Sequence, residues 1–408
     1  MEKVYDVIIS GAGPSGSVLG YLLSKNNINT LILEKENFPR YKVCAGGIQW
    51  KTLQLLPFDI NEVIERKIYG IYFSRKLRDV FYKKYHEPLI YTLDRRKLDD
   101  FLAKKAIASG CIINFNEKVK NFEINNDGVK VYSEKNNYLS KILVGADGAV
   151  STISKKLNKD KNVRKIIGYE IEAPLNNAVS YPSSDDSIIL DFGGMQKGYL
   201  WVFPKKDCLS IGDGGPIKDA LYLKKYLIWF VKKYPFVFNE QNFFRNVLMN
   251  NIKYSHKNNI HIHDESYCNK KPELKYKINA FMIPVRTQRT FLCDIRILVT
   301  GDAAGLGDGF TGEGLYNAIF SSNIAFECIA NALSSSNFKF SDYFEKINKE
   351  IYKNIRNSVL ISKIFFSSPV FYYKLIKNND SFFNACARIL RGEKSYYDVL
   401  NKLKLIKI

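Results

Sequence analysis

Val4-Tyr5-Asp6-Val7-Ile8-Ile9-Ser10-Gly11-Ala12-Gly13-Pro14-Ser15-Gly16 is the stretch that decides how this chain is read. Val4 to Ile9 is apolar and β-branched, the composition of a buried strand. It breaks on the glycines, and an amphipathic pattern follows from Ser17 to Ser24. A second apolar run, Thr30 to Leu33, ends on Glu34. The order is strand, glycine turn, helix, strand, acid. Gly11 permits a tight turn, Gly13 lets backbone approach a pyrophosphate, and Gly16, with Gly20 a turn later, lets helix and sheet pack closely. The helix N-terminus offers N–H groups and a positive dipole end to phosphates. Glu34 follows the first glycine at about the 20-residue spacing of a ribose-binding acid. The motif specifies a dinucleotide and leaves FAD and NAD open.

A length of 408 residues calls for two or more substructures. The formal charge of +20 admits three readings: nucleic acid, an anionic lipid surface or substrate, or a Lys-rich coding bias. The abundant Asn, Ile, Lys and Tyr favour bias, and no basic block with interleaved aromatics forms a nucleic-acid module. The seven cysteines are scattered, odd in number and without a C-x-x-C, which argues against disulfides, a zinc ribbon or an iron–sulfur cluster and fits a reducing, cytoplasmic setting. The chain starts almost directly on its first strand, so no signal peptide is expected. No apolar run approaches about 18 residues, so no spanning helix is expected.

Further along, Phe38-Pro39-Arg40-Tyr41-Lys42-Val43-Cys44-Ala45-Gly46-Gly47 is a loop in which basic residues precede a cysteine. That neighbourhood favours a thiolate, while a buried inert Cys in a glycine turn explains it equally. Asp94 caps a helix running to about Ser109, and Arg95 at its start is in reach of a phosphate or a ring edge. Val119–Ile124 and Val129–Tyr132 form a hairpin. Two strands end in acids, one at Asp147-Gly148 and one at Gly301-Asp302, and open α/β sheets bind ligands at such strand ends. Between them, residues 165 to 215 read as short strands of an antiparallel sheet, where Tyr199, Trp201 and Phe203 share a face. Thr311-Gly312-Glu313-Gly314 opens a long helix of small and apolar residues. His256, His261 and His263 with Asp264 and Glu265 invite a metal reading, but no further ligand completes a site, so no metal is expected. Past Ser341 the chain reads as helices. The aromatic run around Phe365-Phe366 and Phe371-Tyr372-Tyr373 either caps a cavity or dips into a membrane interface.

The three acid-ended motifs in this order resemble the FAD-binding fold of the para-hydroxybenzoate hydroxylase type, and within it the details resemble the geranylgeranyl reductase family over most of residues 1 to 335. The Phe38 to Gly47 loop is similar to that family's F-P-R-x-K-x-C-x-G-G loop beside the flavin. Asp94-Arg95 with Leu98-Asp99 is similar to its D-R-x-x-F-D helix start, whose arginine faces FAD. Tyr199-Leu200-Trp201-Val202-Phe203-Pro204 is similar to its Y-x-W-x-F-P pocket strand, and Gly301-Asp302-Ala303-Ala304-Gly305 through Gly314 to its G-D-A-A-G…T-G-E-G segment. Gln196 and Gly309 stand where the family often has proline.

The resemblance implies an α/β fold. A Rossmann-like FAD-binding domain (1–75, 90–160, 285–335) would carry an inserted antiparallel-sheet substrate domain (76–89, 161–284) and a helical C-terminal region (336–408). It implies cofactor contacts from Gly11, Gly13, Gly16, Glu34, Arg40, Cys44, Ala45, Gly46, Arg95, Asp147, Gly148, Gly301, Asp302, Gly312 and Gly314. It implies substrate contacts from Gly47, Tyr199, Trp201, Phe203 and Pro204. Cys44, Tyr199 and Trp201 are the catalytic candidates. The implied activity is reduction of C=C bonds in a geranylgeranyl chain by flavin hydride transfer plus protonation, with NADPH or reduced ferredoxin as electron donor. Peripheral membrane contact through the basic surface and C-terminal aromatics is a further expectation, as is a ferredoxin partner. The rival readings are a flavin monooxygenase or halogenase of the same fold and a non-catalytic flavin-binding protein. A halogenase would carry a W-x-W-x-I-P-type strand, and this chain has Tyr199 first and Phe203 before the proline.

Overall fold

Val4–Ser10 forms the centre of an eight-stranded sheet, flanked in parallel by Thr30–Leu33 on one side and Asn137–Gly145 on the other. Ile112–Asn114 and Ile297–Val299 extend it in parallel. Val7–Ile9, Leu31–Leu33, Ile142–Val144 and Ile297–Val299 are Val, Ile and Leu and buried on both faces, as parallel strands covered by helices must be. The computed structural model describes residues 4–76, 79–157, 163–174, 186–192, 194–195, 197–233, 276–289 and 292–402. The expected hairpin is present as Val119–Asn125 and Gly128–Ser133 and pairs onto Asn137–Gly145.

The helix Pro14–Lys25 starts with proline in its first turn, where the missing N–H costs nothing. It packs between the sheet, the helix Arg95–Ala108 and the helix Leu315–Ser335. The Ser15 hydroxyl lies 2.7 Å from the hydroxyls of both Thr300 and Ser322, so the glycine turn, the Gly301 segment and the small-residue helix are locked at one point.

A second sheet of seven strands runs in the order Asn279–Arg286, Val163–Pro174, Cys208–Pro216, Tyr199–Pro204, Ser187–Phe192, Gly70–Arg75 and Asp79–Lys84. Its pairs are antiparallel except one. Ser187–Phe192 runs parallel to Gly70–Arg75, because those two strands arrive from separate parts of the chain. Gly70–Arg75, grouped by sequence with the nucleotide unit, therefore lies in this second sheet. One face of the sheet packs on the helix Ala220–Lys233. The other carries Trp201 and Phe203 and is roofed by the C-terminal helices Lys353–Ser367, Pro369–Asn378 and Asp380–Arg391.

The apolar segment from Val359 to Ile376 is two helices, broken at Ser368, because a proline cannot continue the hydrogen-bond ladder of the turn before it. The helical run Ser341–Ser367 meets Pro369–Asn378 at 93°, and among the described residues no single helix is long and apolar enough to cross a membrane. Phe365, Phe366, Tyr372 and Tyr373 pack into the roof, while Val370 and Phe371 face outward. None of Cys44, Cys111, Cys208, Cys293, Cys328 and Cys386 forms a disulfide.

Candidate functional site

The three acid-ended motifs meet at the C-terminal edge of the parallel sheet. Gly11 N–H donates to Leu33 O (2.8 Å), Ala146 N–H to Ser10 O (2.9 Å) and Thr300 N–H to Gly145 O (2.9 Å), so the turns after three strands sit side by side. Gly11 has φ +100°, and a Cβ on it would stand 2.6 Å from Ala146 O. A Cβ on Gly16 would stand 1.9 Å from Gly11 O, so only glycine closes this turn. Gly13 by contrast has nothing within 4 Å of where its Cβ would be. The backbone there faces open space of the kind a pyrophosphate takes. Glu34 is buried at the end of its strand and accepts Ala12 N–H at 2.7 Å and Glu36 N–H at 3.0 Å, which aims its carboxylate at the glycine turn.

The basic loop and the Arg95 helix converge on one buried carboxylate. Asp99, one helical turn after Arg95, accepts from its Nε and Nη2 (2.9 and 3.0 Å) and pairs with Arg40 at 3.2 Å. Burial pulls the Arg95 guanidinium down, but Asp99 and Cys44 outweigh it and hold it above its ordinary value. Nε and Nη1 of Arg40 are buried and unpartnered, as is Oδ1 of Asp147. Burial raises the Asp302 carboxyl, with Lys42 and Arg95 pulling it back. It lies 3.4 Å from where a Cβ on Gly314 would be. Burial also lowers the Lys42 ammonium, reinforced by Arg95. Orphaned donors and acceptors around a glycine cradle fit a dinucleotide with a polyhydroxyl linker. The glycines and Glu34 would hold its adenosine and pyrophosphate end, and Asp147, Asp302, Arg40 and Arg95 its flavin half.

Gly46 and Gly47 allow a close approach that any side chain would block. A Cβ on Gly46 would stand 2.3 Å from Leu93 O, and one on Gly47 2.8 Å from the Phe203 ring. Gly46 N–H points at Cys44 Sγ (3.4 Å). The loop thus rests on the strand Tyr199–Pro204, and the structure brings Cys44, Ala45 and Trp201 into one region, with Ala45 packed on the aromatic cluster. Tyr199 is half-buried with its hydroxyl donated to Thr311 O at 2.5 Å; burial raises it far above the ordinary range, with the Asp308 charge adding to this. Trp201 is buried and donates from Nε1 to Ser210 Oγ at 3.4 Å. Pro204 O accepts the Thr92 hydroxyl (2.7 Å).

Sequence reasoning missed the group that joins these parts. Glu170 is fully buried and accepts Cys44 N–H (3.0 Å), the Tyr41 hydroxyl (3.1 Å) and the Ser210 hydroxyl (2.6 Å). Lys205 lies 3.8 Å from Glu170 and 2.9 Å from Glu172, which also pairs with Arg96 at 3.1 Å. Glu170 and Glu172 alternate with apolar Ile171 and so share a strand face; two acids on the inward face of a strand were the available signal. Gly309, in place of the family's frequent proline, donates its N–H to Ser358 Oγ (2.9 Å) and anchors a C-terminal helix, a bond proline lacks. Gln196 and the His256 to Glu265 segment lie outside the described residues. Among the described residues no group of three or more His, Cys, Asp or Glu is placed to hold a metal ion.

Burial pushes Glu313 up to about 7, against the opposing pull of Lys51. A carboxyl held above its ordinary value of 4.5 keeps its proton in the fold but loses it in the unfolded chain, so stability falls as pH rises from about 4.5 to about 7. Glu313→Gln removes that fall. Melting curves of the flavin-free protein should show the variant gaining on the parent between pH 5 and pH 8. An equal difference at both values would contradict the assignment.

Comparison with known proteins agrees with this geometry. Residues 4–190 match the FAD binding domain family. The chain is 28% identical over 379 residues to an uncharacterized protein of Methanosarcina barkeri, covering 92% of this chain and 87% of that one. It is 27% identical over 404 residues to a digeranylgeranylglycerophospholipid reductase of Methanococcus vannielii, covering 95% and 90%. Among solved structures, a geranylgeranyl bacteriochlorophyll reductase-like protein from Thermoplasma acidophilum superposes with a TM-score of 0.67 at 20% identity, over 96% of this chain and 92% of that one. A flavin-dependent brominase superposes with a TM-score of 0.69 at 18% identity, over 98% of each. The solved structures share the fold across reductases and halogenases alike. With its FAD-binding domain, its motifs and its reductase-named relatives, the chain is an FAD-dependent oxidoreductase similar to geranylgeranyl reductases.

Proposed function

We propose that this protein reduces C=C bonds in a polyprenyl chain borne by a lipid. The observation that carries the reading is the aromatic layer built on Trp201, Phe203 and Phe192 and roofed by Phe365 and Tyr373, directly against the Ala45 side of the Cys44 loop. The names of the reductase relatives point the same way. Bound in the cradle above, FAD supplies hydride. The chain's own residues do the rest. The Arg40, Arg95 and Asp99 cluster orients the cofactor half nearest the loop. Trp201 and Phe203 hold an apolar chain and exclude water, which an isolated alkene needs because it is a poor hydride acceptor. Cys44, whose Sγ lies 3.4 Å from Gly46 N and whose charge acts on the Arg95 guanidinium, is the proton-moving group of this reading. Tyr199 is a positioning residue in this reading, since its own proton is held by Thr311 O. NADPH and reduced ferredoxin are both admissible as donors; the formal charge of +20 suits an acidic protein partner. Exposed Val370 and Phe371 are the side chains that would touch a membrane surface.

The test is anaerobic. Protein with reduced flavin is mixed with a geranylgeranylated lipid and followed by flavin absorbance. Reoxidation by the lipid supports the reading; reoxidation by oxygen alone, with a hydroxylated or halogenated product, supports the rival. Cys44→Ser should slow lipid-dependent reoxidation by about 10²–10⁴-fold, the span of a lost proton donor, while leaving FAD content unchanged. Full turnover in that variant would remove Cys44 from the chemistry.

A further inference from the structure

The Thr311–Gly314 loop has the aromatic layer on one side. On the other lies a partly open cavity of about 270 Å³ with largely polar walls, bordered by the C-terminal helices. Gln49 Oε1, Asn354 Oδ1 and Asn357 Nδ2 are buried, lack any hydrogen-bond partner, and all belong to residues lining this one cavity. Buried polar atoms in folded proteins are nearly always satisfied, so three orphans around one space mark the place of a ligand with several polar groups. An amide can present either end, so the matching groups are ones that both donate and accept, as hydroxyls do.

The cavity is also cationic. Lys51, Lys349, Lys353 and Lys394 line it, against Asp308, Glu313 and Glu350. Oδ1 of Asp308 already accepts Phe310 N–H, Thr311 N–H, the Thr311 hydroxyl and, at 3.4 Å, the Tyr396 hydroxyl. Glu313 receives Tyr316 N–H and keeps its proton up to about 7. The Lys51 ammonium stands 4.0 Å over the Tyr316 ring and that of Lys353 3.9 Å over the Tyr397 ring, and Lys51 also acts on the Glu313 carboxyl. Such cations turn readily to an incoming phosphate.

The wall between cavity and aromatic layer is one residue thick. Phe310 lies 5.4 Å from Phe365 in the layer and 6.5 Å from Tyr396 in the cavity. The polar cavity and the packed aromatic layer thus lie on opposite sides of Phe310. We propose that this cavity binds a phosphate ester that carries free hydroxyls, with lysines on the phosphate and Gln49, Asn354 and Asn357 on the hydroxyls. Its source is the headgroup of the prenyl lipid. That last assignment rests on the reductase reading; recognition of a hydroxylated phosphate ester does not.

The probes are glycerol phosphate, inorganic phosphate and a geranylgeranylated glycerol phosphate, titrated calorimetrically into FAD-loaded protein. Glycerol phosphate should bind more tightly than inorganic phosphate. Lys349→Ala with Lys353→Ala should weaken it by about tenfold or more, as loss of charge-assisted contacts does. Asn357→Ala should weaken glycerol phosphate but not inorganic phosphate, with FAD content and melting temperature as folding controls. The prenylated ester should displace free glycerol phosphate. No binding, or binding untouched by the lysine pair, overturns the site. Equal affinity for inorganic phosphate overturns the role of the amides. Binding that the prenylated ester fails to displace overturns the headgroup assignment and leaves a site for a soluble ester. Loss of glycerol phosphate binding in the variants, in a protein that reduces no prenyl carrier, leaves the cavity standing and fails the reductase reading alone.

Discussion

Gly16→Ala should yield a protein that purifies without FAD and melts well below the parent. The new methyl would sit 1.9 Å from Gly11 O and 3.3 Å from the Ile9 side chain, and the first obstacle is backbone in the turn itself. Gly11 cannot retreat, since its own vacant Cβ position is 2.6 Å from Ala146 O at the end of the next strand. Relief therefore requires the helix Pro14–Lys25 to lift off the sheet, at a cost of about 1–3 kcal/mol or more. Each 1.4 kcal/mol taken from cofactor binding is about tenfold in affinity. Gly13→Ala is the control. Its methyl meets nothing in the protein, so the fold should survive, while the space kept clear for a pyrophosphate is filled. Comparable melting of Gly13→Ala and parent without cofactor, with weakened FAD uptake, is the expected pattern. A Gly16→Ala protein that stays yellow and melts like the parent would refute the cradle.

Glu170→Ala should be the second most damaging change, although this residue belongs to no motif read from the sequence. Its carboxylate is the shared acceptor for the Cys44 loop, Tyr41 and Ser210, and Ser210 in turn receives Trp201 Nε1. Removing it takes the acceptor from three donors, the buried Ser210 hydroxyl among them, and leaves Lys205 leaning on Glu172 alone. Breaking a buried charged network in this way costs about 3–5 kcal/mol. Burial already pushes the Glu170 carboxyl up, with Lys205 pulling it back, so the charge itself is marginal and the acceptor geometry is what counts. Glu170→Gln keeps an acceptor for Cys44 N–H and Tyr41 and a donor for Ser210. It should restore most of the stability and most of the lipid-dependent reoxidation. A Glu170→Ala protein with parental turnover would show that the Cys44 loop needs no anchor on the second sheet.

The parallel core was legible because its signals are local. A strand, a glycine turn and an acid lie within a few dozen residues, and Asp94 caps its helix through its own neighbour, Arg96 N–H. What escaped the sequence depends on pairing across long separations. Gly70–Arg75 joins Ser187–Phe192 in parallel, which no turn signal announces. Glu170 looks like one acid on a polar strand until the Cys44 loop, more than a hundred positions earlier, is laid over it. The aromatic run after Val359 could face lipid or protein by composition alone; contact of Phe365 with Phe192 and Phe310 is what seats it over the second sheet. The polar cavity behind Thr311 draws its walls from four separate segments, and its unpaired amides have no sequence signature.

The most direct test of the account is the mass of the product from a single anaerobic turnover, with FAD-loaded, chemically reduced protein and a geranylgeranylated glycerol phosphate lipid. The account predicts reoxidised flavin and a lipid heavier by two hydrogens for each double bond saturated, with no oxygen or halogen incorporated. A lipid of unchanged mass, in a protein whose flavin is reoxidised only when oxygen is admitted, would contradict it.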